Sequence, residues 1–170
     1  MNIHDDGNQF EPIHRRLFNV DIKDILCEFD FFVNEMGMKF TFVDHGEYAE
    51  TDKKSKLSKE GAQEITFQSS IVNGTIHITG SPFVLACGTL ASFLDNYLAS
   101  RKETTVDYVH GSSTIDTKCK EPKHCAFILP KMEKSQLYET VIQNGVLPKK
   151  TLSMGHADDK RFDLEARRIK

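Results

Sequence analysis

The chain has 170 residues, 39% hydrophobic and 28% charged, with 22 Lys and Arg against 25 Asp and Glu for a net charge of −3. That length suits one domain with tails, and the charge balance argues against nucleic-acid binding through bulk positive charge. Four cysteines are too few for a disulfide scaffold.

In chain order, residues 1–18 are mixed and without clear period, and read as a lead-in to a domain spanning 19–152. The acidic start, Met1 to Gly7, lacks the basic and apolar regions of a secretory signal. From Asn19, apolar residues recur at three and four (Val20, Ile22, Ile25, Leu26, Phe29, Phe32, Val33, Met36), which predicts a helix capped by Asn19 or Asp21 and closed by Gly37. Cys27 falls within it and reads as a core thiol, whereas Phe31 lies off the stripe and should be exposed. Lys39 to Val43 alternates like a strand, and Asp44 to Gly61 reads as a long polar connection. Asn73-Gly74, between Ile71-Val72 and Ile76-His77-Ile78, predicts a hairpin turn. There His77 faces away from the isoleucines and reads as a surface or rim residue.

Ser81-Pro82 signals a helix start, and the helix should run to about Ser100 with Cys87 on its buried face in the second turn. Strands follow at Thr104–Val109 and Cys125–Leu129, then a short helix from Glu133 to Asn144 closed by Gly145. Residues 153–170 read as a charged C-terminal tail. The expected fold is α+β, an antiparallel sheet of about four to five strands covered by helices on one face. The longest apolar run, Phe83 to Ala91, is far short of the roughly 20 residues of a membrane helix. The expectation is therefore a cytoplasmic protein with no membrane insertion and reduced thiols.

The densest chemistry lies in Asp116-Thr117-Lys118-Cys119-Lys120-Glu121-Pro122-Lys123-His124-Cys125. Two thiolates around a proline turn can converge on a soft or borderline cation such as zinc. Cys87 is a candidate third ligand, with Asp116, His124 or Glu121 as the fourth; unliganded thiols are the alternative. His156 with Asp158 and Asp159 reads as part of the solvated tail. The phenylalanines at 29, 31, 32, 40 and 42 read mainly as core, with an apolar ligand cavity as the alternative.

Phe83 to Leu94, Val106-Asp107-Tyr108, Ile115 to Cys119 and Cys125 to Leu129 together resemble the 4-vinyl reductase domain family. That family is a small hydrocarbon-binding module related in fold to subunits of the transport protein particle that tethers vesicles. The resemblance implies zinc held by Cys87, Asp116, Cys119 and Cys125, with His124 as a substitute ligand because the gap between the last two cysteines is short. A site with four protein ligands leaves no open position, so the zinc would be structural. The resemblance further implies a non-enzymatic sensor for a small hydrophobic or aromatic ligand. It would be a homodimer formed through the first helix, passing its signal to a separate partner.

Two other readings stand beside this one. The chain could be an interaction scaffold of the tethering-subunit type, or a cysteine-dependent hydrolase or transferase using Cys87 with His110 or His124 as base. No Gly-rich nucleotide fingerprint and no Cys-x-x-Cys pair is present, so vinyl reduction itself is not expected.

Overall fold

A computed structural model describes residues 10–46, 62–111, 115, 121–132 and 134–154. Seven strands and three helices succeed one another among them. These are β1 (Phe10–Phe18), α1 (Ile22–Glu35), β2 (Lys39–Asp44), β3 (Gln63–Ser69), β4 (Asn73–Thr79) and α2 (Ala86–Ala99). Then come β5 (Thr105–His110), β6 (His124–Ile128), α3 (Lys134–Asn144) and β7 (Leu152–Met154). The strands form one antiparallel sheet in the order β2-β4-β3-β6-β1-β5, with β7 on the N-terminal end of β1.

The fold is α+β, as the sequence predicts, but the sheet is larger. Its additional strands come from segments read as lead-in and tail. β1 pairs with β5, β6 and β7 and ties β5 and β7 to the rest of the sheet. It lacks a sequence signature because its helix-facing positions carry Ile13, Arg15 and Leu17, so a charge interrupts the apolar alternation. β7 has three residues, too few to show any period.

α1 forms where the stripe places it. The Asp21 carboxylate accepts from the Lys23 and Asp24 amides at 3.0 and 3.2 Å, and Gly37 takes the left-handed conformation at φ +73. Ile22, Ile25, Phe29 and Val33 are buried against the sheet, while Cys27, off that stripe, is exposed rather than in the core. Phe31 is exposed as expected. α1 and α2 share one core with Leu17, Ile65, Phe67, Ile76, Ile78 and Phe127, all on the same side of the sheet. On the opposite side a smaller cluster joins Ile115 to Ala126, Val109 and Ile128.

The β3–β4 hairpin is present, but its turn lies at residues 70–72, before Asn73-Gly74. The Ser69 hydroxyl donates to the Val72 carbonyl at 2.7 Å, and the Asn73 side chain accepts from the Ser69 amide at 3.0 Å. Gly74 serves contact instead of turning: it pairs with Asp44 of β2 and Phe67 of β3. A Cβ there would run into the Val43 carbonyl oxygen and the Phe42 ring. Gly74→Ala should therefore loosen β2 and cost on the order of 2–3 kcal/mol. A chemical-denaturation midpoint unchanged from wild type would refute this.

The second helix starts later than Ser81-Pro82 suggests. The Ser81 hydroxyl accepts from the Phe83 amide at 3.1 Å in a bend, and regular helix begins at Ala86. Cys87 is thus the second residue of α2, in its first turn.

Candidate functional site

A cleft of about 260 Å³ opens where the N-terminus of α2 meets the start of β3, the end of β6 and the segment before β7. Its apolar wall includes Leu85, Leu129 and Met132, and its polar groups include Gln63, Glu64, Lys131 and Thr151. The loop entering α2 is held by a chain of side-chain bonds. Gln63 donates to the Phe83 carbonyl, the Thr89 hydroxyl donates to the Gln63 side-chain oxygen at 2.7 Å, and the Ser81 and Thr89 hydroxyls lie 2.8 Å apart. Leu85 occupies the N-cap and supplies no side-chain acceptor. Among the first amides of α2, that of Gly88 donates to the Leu85 carbonyl at 2.9 Å, and none is capped by the Leu85 side chain.

Arg15 adds positive charge next to this helix end. It is 2% exposed, donates to the Ile13 carbonyl and, at 3.5 Å, to the Lys149 carbonyl, and lies over the Tyr108 ring at 5.1 Å. Burial lowers its pKa, while Cys87 and Tyr108 act in the opposite direction. Cys87 is electrostatically coupled to it. Burial pushes the Cys87 thiol up, with the Thr151 hydroxyl, Arg15 and nearby amides offsetting part of the effect. A thiol held protonated is a poor nucleophile, which argues against Cys87 as an activated catalytic cysteine.

Glu64 is the one carboxylate among the described residues lining the cleft. Its Oε1 lies 3.5 Å from His77 Nδ1, its cross-strand partner on β4, and both atoms are buried without a hydrogen bond. His77 is 7% exposed, so it is buried rather than a surface or rim residue.

Of the four proposed zinc ligands, Cys87 and Cys125 lie among the described residues. Asp116 and Cys119 lie outside them, as do His156 and its acidic neighbours. Cys87 sits at the first turn of α2. Cys125 is fully buried on β6, on the helix-covered side of the sheet. His124 alternates with Cys125 along β6, packs edge-on against Phe18 at 4.9 Å and meets Glu121 at 3.2 Å. No group of three or more His, Cys, Asp or Glu able to hold a metal occurs among the described residues. Nor is any helix there long and apolar enough to cross a membrane.

The sequence reading missed Arg15, Gln63, Glu64 and Lys131. Only Arg15 left a signal, as a charge at the inward position of Ile13-x-Arg15-x-Leu17. The others meet only because β1, β3 and β6 are neighbours in the sheet.

No family model matches the chain, and no curated protein does. Solved structures of a free serine kinase variant do match, in complex with AMP at a TM-score of 0.57 and with ADP at 0.58. Each is 13% identical, and the match covers 92% of this chain and 57% of that one. The chain thus spans little more than half the length of that kinase, and the likeness is one of fold. It nonetheless runs against the expectation of a non-enzymatic sensor for hydrophobic ligands: the solved structures that share this fold are of an enzyme in complex with adenine nucleotides.

Proposed function

We propose that the chain is an enzyme, or part of one, that takes an adenine nucleotide in the cleft at the N-terminus of α2 and works in phosphoryl transfer. The observation that carries this reading is the meeting, on one cleft, of an α2 N-terminus whose N-cap residue Leu85 supplies no side-chain acceptor with the exposed Lys131 and the polar side chains of Gln63 and Thr151. Helix N-terminal amides and cationic side chains are what a phosphate needs. Leu85, Leu129 and Met132 offer apolar surface beside them for the base or ribose. The kinase structures with AMP and ADP support the nucleotide class through fold alone.

Calorimetric titration tests the reading. AMP and ADP should bind with dissociation constants at or below about 1 mM, and Lys131→Ala should weaken ADP by about tenfold, as expected for one charge-assisted contact. Absence of saturable heat with either nucleotide on the wild-type chain would overturn it.

A further inference from the structure

A second concave surface lies between α1 and the C-terminal half of α2, toward the end of α2 remote from the cleft. It is a groove of about 490 Å³ whose lining includes Phe32, Phe93 and Tyr97. Phe31 and Met36 also line it and are 61% and 44% exposed. Phe93 stacks on Phe29 at 4.3 Å and Tyr97 donates to Asp24 at 3.1 Å, so this lining is fixed by the core rather than loosely placed. Phe31 contributes little to that core, and an exposed aromatic beside a shaped apolar groove marks an interaction surface.

Charge decides what fits there. The ionic groups lining the groove are Glu28, Glu35 and Arg101. Arg101 is already engaged: it meets Asp24 at 2.8 Å and Glu28 at 3.4 Å, and its guanidinium covers the Tyr97 ring at 4.0 Å. Counting Asp24, three carboxylates face one cation, and Glu35 stands beside Phe31 and Met36 with no cation paired to it among the described residues. A second copy of the same face would set Glu28 and Glu35 against like charges next to buried apolar surface, which is unfavourable.

We propose that this groove docks a basic amphipathic helix of a partner protein. The helix would lay its apolar side on Phe31, Phe32 and Met36 and bring Lys or Arg against Glu28 and Glu35. An apolar groove with a rim of one charge sign is a recurrent way of receiving such a helix. The inference is independent of the nucleotide reading, since the groove shares no lining residue with the cleft.

Fluorescence anisotropy on the full chain tests it, with a labelled Leu/Lys amphipathic helix of about 18 residues, five turns in length, as probe. The matched control is the same peptide with every Lys replaced by Glu. The basic peptide should bind at least about tenfold more tightly than the acidic one, and its affinity should fall as salt screens the rim. Phe31→Ala and Glu35→Lys should each weaken it by about tenfold while leaving the melting temperature and nucleotide titrations unchanged. Equal affinity for the two peptides, or no binding of the basic one at about 100 µM, would overturn the proposal. So would a stable dimer in sedimentation that Phe31→Ala dissociates, since the groove would then be occupied by a second copy.

Discussion

Phe29→Ala is expected to be the most damaging single truncation of the core, costing about 3–5 kcal/mol. Phe29 is fully buried and joins three elements. Its ring stacks on Phe93 of α2 at 4.3 Å, meets Phe40 of β2 at 5.7 Å and meets Phe127 of β6 edge-on at 5.9 Å. Removing the ring takes away its transfer free energy, and the rigid aromatic neighbours cannot collapse into the space. A typical domain is stable by only about 5–15 kcal/mol, so this variant would retain a small margin. Urea denaturation measures the effect directly. Phe31→Ala, two residues along the same helix, is the control and should cost less than about 0.5 kcal/mol. Similar losses for the two variants would refute the placement of α1.

The second large effect is a loss of stability in acid through His14. This residue is 5% exposed, and its Nδ1 accepts the Leu129 amide proton at 3.1 Å, a bond that only neutral imidazole can make. Its pKa is lowered from 6.5 to about 4, first by burial, then by the charges of Arg15 and His110, with Glu11 opposing. The unfolded chain therefore binds a proton more readily than the folded one. His14 contributes nothing to the pH dependence above about 6.5 and progressively withdraws stability as the medium is acidified toward 4. The full shift corresponds to no more than about 3 kcal/mol. His14→Gln keeps an acceptor for the Leu129 amide and removes the titration. Its melting temperature should fall less steeply than wild type between pH 6.5 and 4.5, and parallel profiles would refute the assignment.

Particular residues show which parts of this architecture can be read locally. Asp21, the stripe from Ile22 to Val33 and Gly37 describe α1 from cap to terminus, because each signal concerns neighbours within four residues. Gly145, at φ +77, closes α3 in the same way. Asn73-Gly74 announced a hairpin but misplaced its turn: Asn73 braces the turn with its side chain, and Gly74 is small because β2 passes close to it. That demand comes from a strand about 30 residues earlier in the chain, so no local pattern records it.

The site follows the same division. The cysteines suggested a shared metal because Cys119 and Cys125 are close in sequence. In the structure Cys87 lies in the first turn of α2 and Cys125 on β6, while Asp116 and Cys119 lie outside the described residues. The cleft instead gathers Gln63 and Glu64 from β3, Lys131 after β6 and the first turn of α2.

Sequence alone determined the α+β class, the positions of α1 and α3, and the strands β2, β5 and β6. All of these rest on periodicity and capping, which act over a few residues. Tertiary structure alone decided that β1 ties β5 and β7 to the rest of the sheet, that Arg15 is buried, and that two concave surfaces lie toward opposite ends of α2. These features depend on strand order and on contacts between residues far apart in the chain. Burial and electrostatics act on whatever the completed fold brings together, whatever its distance in sequence.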